Sequence, residues 1–173
     1  MRSENVFIQP EELKSKVNKA INKLFKNDIF LLSANANERS ISHKLAEYLQ
    51  QEFDDWNVDC EYNRDNHDDV KRIKNWKNLC IKNKLKSDDT DAKTVYPDII
   101  IHHRSSKNNL LVIEIKKSNN SNNPKCDIEK IKMFIKDLKY QYGLFLNFKV
   151  GEEPGTKSLT WLPSSKFEEG DHD

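Results

Sequence analysis

Two apolar runs separated by a short polar tip, Asp98–His102 and Leu110–Ile115, constrain the fold of this chain more than any other feature. The stretch reads YPDIIIHHRSSKNNLLVIEIKKS. Runs this short, rich in isoleucine and bounded by turn residues, predict the two strands of a β-hairpin. Side chains alternate along a strand, so Ile99, Ile101, Leu111, Ile113 and Ile115 share a face that must be core. Asp98, Ile100 and His102 share the other face of the first strand, and Val112, Glu114 and Lys116 share one face of its partner. A turn centred on Lys107 sets Asp98 opposite Lys116 and Ile100 opposite Glu114. Asp98, Glu114 and Lys116 then converge at the open end of the hairpin. One face is expected to be packing and one end chemistry.

Charges among isoleucines cost free energy unless something compensates them. Two carboxylates a few ångströms apart also raise each other's pKa. A divalent cation relieves that repulsion, and hard oxygen ligands suit Mg²⁺ or Mn²⁺. A lysine beside such a site can orient a water or stabilise charge building on a phosphate. The plainer reading is a cross-strand salt bridge of Asp98 or Glu114 with Lys116, worth little where it is solvated.

Around the hairpin the periodicities alternate. Pro10 followed by Leu13, Val17, Ala20, Ile21 and Leu24 predicts a helix ending near Lys26–Asp28. Ile41, Leu45, Tyr48, Leu49 and Phe53 form the stripe of a second helix. Asn57–Arg64 alternates as a strand, with Val58, Cys60 and Tyr62 on one side. Val70, Ile73, Trp76 and Cys80 predict a helix over Asp68–Lys82, with acidic residues at its N-terminal end. Beyond the hairpin, Ile128, Ile131, Phe134, Ile135 and Leu138 mark a further helix, Leu144–Val150 a strand, and Ser158–Pro163 an edge strand. The order implies an α/β domain with a mixed sheet and helices packed on it. The helix between the hairpin and Leu144–Val150 suits a crossover to a parallel neighbour.

The 173 residues are enough for one domain with a real core. Twenty-nine basic and 28 acidic residues nearly cancel, which argues against a binder driven by a basic tail. Cys60, Cys80 and Cys126 lack C-x-x-C spacing and read as reduced thiols of a cytoplasmic protein. The N-terminus has no apolar signal region, and no run approaches membrane-spanning length, so no membrane partner is expected.

P-D followed at hairpin distance by E-x-K, between an upstream helix and a downstream helix–strand pair, resembles the PD-(D/E)XK nuclease superfamily. The match is carried by YPDIIIH and LLVIEIKKS, with NERSISHKLAEYL and VDCEYNR similar to segments of small stand-alone bacterial members. It covers residues 37–150. The resemblance implies a restriction-endonuclease-like core in α-β-β-β-α-β order. Residues 1–34 would be an N-terminal helix and lead-in, 35–163 the core with a basic insert at 65–95, and 164–173 a disordered tail. It implies that Asp98 and Glu114 bind Mg²⁺ or Mn²⁺, with the Ile115 carbonyl a further ligand, and that Lys116 assists the attacking water. The expected activity is metal-dependent hydrolysis of a phosphodiester, in DNA rather than RNA, and a homodimer is in keeping with the family. A catalytically silent module of the same fold, binding nucleic acid or protein, is the alternative.

Glu38 opens the second helix, where related nucleases often place another acidic residue. Asn35 and Glu38 also stand at capping-box spacing, so a helix cap is the competing role. Lys117 and Ser118 follow the E-x-K directly and are candidate substrate contacts. Lys71, Arg72, Lys74 and Lys77, on the most basic stretch, are candidate phosphate contacts, with an ordinary solvated helix face as the alternative.

Overall fold

The isoleucine strands form the centre of a mixed sheet covered on both faces by helices. The computed structural model of the chain describes residues 7–62, 64–65, 69–70, 96–104 and 106–166. Its elements are helices α1 (Pro10–Asp28), α2 (Phe30–Ser33), α3 (Glu38–Glu52) and α4 (Pro124–Leu138), and strands β1 (Asn57–Cys60), β2 (Arg64–Asp65), β3 (Asp69–Val70), β4 (Ile99–His102), β5 (Asn109–Lys117), β6 (Tyr142–Lys149) and β7 (Gly155–Leu162). Five strands form one sheet in the order β1-β4-β5-β6-β7, and β2 and β3 form a separate pair. Among the described strands only β5 and β6 run parallel, joined through α4.

This α/β architecture is the one the alternating periodicities imply, but the strand order is longer than α-β-β-β-α-β. The β2–β3 pair and β7 are additional, and β7 begins three residues ahead of the expected edge strand. Strand β1 stops at Cys60, where Glu61 takes a left-handed φ of 48° and turns the chain. Asp69 and Val70 pair with Arg64 and Asp65 as strands where a helix was expected to begin. The remainder of that expected helix lies outside the described residues. Ser164–Lys166 form a short 3-10 turn at the start of the segment expected to be disordered.

Both sheet faces are packed. Ile99, Ile101, Leu111, Ile113 and Ile115 join α1 and α3 in the larger core, as alternation required. Against the expectation of a single packing face, Ile100 and Val112 are also fully buried, in a second core with Ile131 and Phe134 of α4 and Phe145 of β6. A strand covered on both sides tolerates apolar residues at every position, which is why the unbroken run Ile99–Ile101 occurs here. Helix α1 buries Leu13, Val17, Ala20, Ile21 and Leu24, one stripe at helical spacing, and Pro10 opens it with Glu11 and Glu12 in the first turn.

The hairpin register differs by two residues from the expected one. Ile99 pairs with Ile113, Ile100 with Val112 and Ile101 with Leu111, and an irregularity follows between Ile101 and His102. Continued by one position, this register brings Asp98 level with Glu114 rather than Lys116. A shift of two leaves every side chain on its face, so hydrophobic patterning does not distinguish the two pairings.

Among the described cysteines Cys60 is free, whereas Cys126 is disulfide-bonded, which corrects the reading of three reduced thiols. No described helix is long and apolar enough to cross a membrane.

Two features of the sheet carry testable consequences. Gly143 lies in β6 directly under α4, and a Cβ there would fall 2.1 Å from Ile131 Cγ2. Ile131 is fully buried and β-branched, so it has little freedom to yield. Gly143→Ala is expected to cost about 1–3 kcal/mol by overpacking, read as a lowered midpoint in thermal or urea unfolding. At the other end, burial alone would raise the Asp59 carboxyl, but hydrogen bonds from His102 (2.8 Å) and Arg104 (Nε, 2.9 Å) outweigh it and hold Asp59 well below its ordinary value. That contribution is complete above the unfolded value of about 3.9 and is lost as pH falls further. Asp59→Asn is therefore expected to lose stability at neutral pH and to unfold less steeply below about pH 4 than the wild type.

Candidate carboxylate and lysine site

Strand β5 places Glu114 and Lys116 two residues apart on the face that looks toward α4. Both are buried, at 3% and 5% exposure. Asp98 enters from the foot of β4, where its carbonyl accepts the Glu61 N–H (3.3 Å) and its Oδ2 accepts the Ile115 N–H (2.7 Å). Asp98 is thus tied to β5 through the Ile115 N–H, not the carbonyl expected as a ligand, and influences the Glu114 carboxyl, with Lys116 two positions further along the strand.

Helix α4 supplies partners that the sequence reading did not identify. Lys130 Nζ hydrogen-bonds Glu114 Oε2 at 2.9 Å and lies 2.8 Å from Oε1. The Lys116 ammonium is paired with the Asp127 carboxylate. Asp127 and Lys130 are three positions apart and so share one helix face with Ile131 and Phe134. Charges inside an apolar stripe were the signal available in the sequence.

Burial pushes the Glu114 carboxyl up, to about 8, with Lys130 opposing the rise and Asp98 adding to it. Burial likewise raises Asp98; the Ile115 N–H and Lys130 oppose the shift, while Glu38 and Asp127 add to it. Asp98 thus adds to the rise at Glu114, as a neighbouring acid does where the countercharge is incomplete.

Glu38 sits in the first turn of α3, but it is not the cap. Asn37 is the N-cap, accepting the Ser40 N–H at 2.7 Å, and Asn35 has a left-handed φ of 52°. The Glu38 carboxylate instead reaches across to β5 and the loop beyond, accepting the Lys117 N–H (3.0 Å) and the Asn120 amide (2.9 Å). This decides the capping question against the cap and sets a third carboxylate beside Asp98, whose pKa it influences.

Glu38 also separates two clefts. The first, about 410 Å³, is lined by Glu38 and Asp98 together with Arg39, His43, Cys60 and Glu61. Arg39 is paired with Glu61 at 2.8 Å. Burial and the nearby carboxylates push the Cys60 thiol up to about 11, so it stays protonated and is no nucleophile. The second, about 370 Å³, is lined by Asn37, Glu38, Lys117, Asn119 and Asn120. Lys117 thus lines a cleft, but its amine is bonded to Asn35 Oδ1 (2.9 Å) and the Ala36 carbonyl (3.0 Å). Ser118 is tied by its N–H to the Phe148 carbonyl at 2.7 Å. Lys71, Arg72, Lys74 and Lys77 lie outside the described residues.

Glu114 Oε1 and, on β6, Asn147 Oδ1 are buried oxygens with no hydrogen-bond partner among the described residues. Asn147 stands in register with Lys116, so the two side chains share a sheet face. It is 8% exposed and was missed because a lone Asn in LFLNF reads as an apolar strand.

No group of three or more His, Cys, Asp or Glu is arranged to hold a metal among the described residues. The oxygen chemistry of the residues present is of the type that Mg²⁺ or Mn²⁺ takes. These cations are commonly held by one or two carboxylates, with water and substrate phosphate completing the shell. Asp98, Glu114 and the neighbouring Glu38 carry hard oxygens of that kind. Comparison with protein-family models, curated proteins and solved structures returns no match for this chain.

Proposed function

We propose that the chain is a metal-dependent phosphodiester hydrolase, a nuclease acting on DNA in preference to RNA, built on a restriction-endonuclease-like core. The observation that carries the reading is the placement of Asp98 beside Glu114 with Lys116 next along the same face, in a domain where such charges are otherwise costly. The antiparallel β1-β4-β5 arrangement followed by α4 and a parallel β6 supports the PD-(D/E)XK-like core.

Asp98 and Glu114 would hold the cation, with Glu38 close enough to share its field. Bound there, Mg²⁺ would supply Lewis-acid polarisation of the phosphate and a more acidic water. Lys116, which follows Glu114 on the same face of β5 and is paired with Asp127, would orient the attacking water or offset charge on the phosphate oxygens. The cleft bounded by Glu38 and Asp98 would admit the backbone being cut.

One observation favours the second reading, a catalytically silent binding module. Each member of the triad already has a partner within the chain: Asp98 the Ile115 N–H, Glu114 the Lys130 ammonium, and Lys116 the Asp127 carboxylate. The two readings part in a cleavage assay on labelled single- and double-stranded DNA and RNA with Mg²⁺, Mn²⁺ or EDTA. Metal-dependent cutting that disappears in Glu114→Ala and Lys116→Ala supports the nuclease. Absence of cutting on every substrate, with binding to nucleic acid intact, moves the assignment to the module.

A further inference from the structure

Helix α4 answers the E-x-K of β5 with charges of opposite sign. Glu114 and Lys116 stand about 6.6 Å apart along one face of the strand. Asp127 and Lys130 stand one helical turn apart, a rise of about 4.5 Å. Because β5 and β6 are parallel, the connecting helix runs back along the sheet. The earlier strand residue therefore meets the later helix residue, Glu114 with Lys130, and Lys116 meets Asp127.

The two pairs are not equivalent. Asp127 is 26% exposed and holds an ammonium that the proposed chemistry needs as an ammonium. Lys130 is 13% exposed and contacts both oxygens of Glu114, including the one left without a hydrogen bond. A divalent cation and Lys130 cannot both take the same carboxylate oxygens, since both carry positive charge at contact distance.

We propose that Asp127 and Lys130 are positioning residues of the site: Lys130 holds Glu114 until a divalent cation exchanges for its ammonium, while Asp127 keeps Lys116 in place before and after the exchange. The proposal rests on the metal-dependent reading given above. Lys130 thus keeps a buried acid oriented without metal, and Asp127 prevents Lys116 from following the same route and blocking the cation.

The test is the acylation rate of individual lysine amines in the full chain, read by peptide mass spectrometry with MgCl₂ or with NaCl at matched ionic strength. Mg²⁺ binding is measured in parallel by calorimetry. Lys130 is expected to react about tenfold faster with Mg²⁺, the factor that loss of one charge-assisted hydrogen bond carries. Lys116 is expected to stay unchanged. In Glu114→Gln, Lys130 should already react fast and ignore Mg²⁺; in Asp127→Asn, Lys116 alone should become fast. Circular dichroism establishes that both isosteric variants are folded. Mg²⁺ binding with Lys130 unmoved, or with Lys116 moving alongside it, overturns the exchange while leaving the nuclease reading in place. Absence of Mg²⁺ binding in the calorimeter removes the metal reading and the exchange together. A Lys130 rate in Glu114→Gln equal to that of the wild type overturns the resting pair by itself.

Discussion

Lys116→Ala is expected to slow phosphodiester cleavage by about a hundredfold or more while leaving Mg²⁺ binding intact. The substitution removes the ammonium that follows Glu114 along β5 but neither carboxylate. Its structural cost is small, because the stranded partner, Asp127, is 26% exposed and can be hydrated. Glu114→Ala behaves differently. It deletes a cation ligand and leaves Lys130 as a largely buried charge without its carboxylate, so metal affinity, cleavage and stability should all fall. Rates measured beside calorimetric Mg²⁺ titrations separate the two patterns. A Lys116→Ala protein that cuts at the wild-type rate would assign Lys116 a structural ion pair with Asp127 and nothing more.

In metal-free buffer the folded state is expected to lose stability as pH rises from about 4.5 to about 8, the interval over which Glu114 holds its proton in the fold but not in the unfolded chain. Its folded value is raised above the unfolded one. The stabilisation is therefore fully present below about 4.5 and gone above about 8. One such group gives a slope of roughly 1.4 kcal/mol per pH unit. Asp98, also raised by burial, acts in the same direction. Asp59 acts in the opposite sense below about pH 4, so the two together place the stability maximum on the acid side of neutrality. Urea unfolding followed across pH 4 to 9 in EDTA checks this, with Glu114→Gln expected to flatten the slope. A wild-type profile that is level from pH 5 to 8 would mean that Lys130 keeps Glu114 ionised throughout.

The exchange proposed for Lys130 links these results. A buried Glu114 facing a movable ammonium costs stability as it ionises, and once ionised it can accept a divalent cation. An isolated strand with E-x-K on it has neither property; both come from the helix laid over it.

What the amino-acid sequence determined by itself is the faces. Leu13, Val17, Ala20, Ile21 and Leu24 mark the buried stripe of α1, and Ile41, Leu45 and Leu49 that of α3. The alternation of Ile99, Ile101, Ile113 and Ile115 assigns one side of the hairpin to the larger core. Periods of 3.6 and 2.0 are local properties of the chain, so patterning conveys them directly. It also placed Asp98, Glu114 and Lys116 on one side of one hairpin end.

Only the tertiary structure decided which residues meet. The hairpin register, two residues from the expected one, could not be read because either register preserves every face. The role of Glu38 turned on Asn37 taking the cap and on a bond to Lys117, 79 positions away. The countercharges of Glu114 and Lys116 depended on α4 returning across β5, and Asn147 reached the site through the parallel pairing of β5 with β6. Such pairings are set by how helices and strands stack once their apolar faces are buried. A sequence specifies that burial through many weak preferences summed over the whole core, whereas each polar contact across it rests on one or two side chains with no periodic signature.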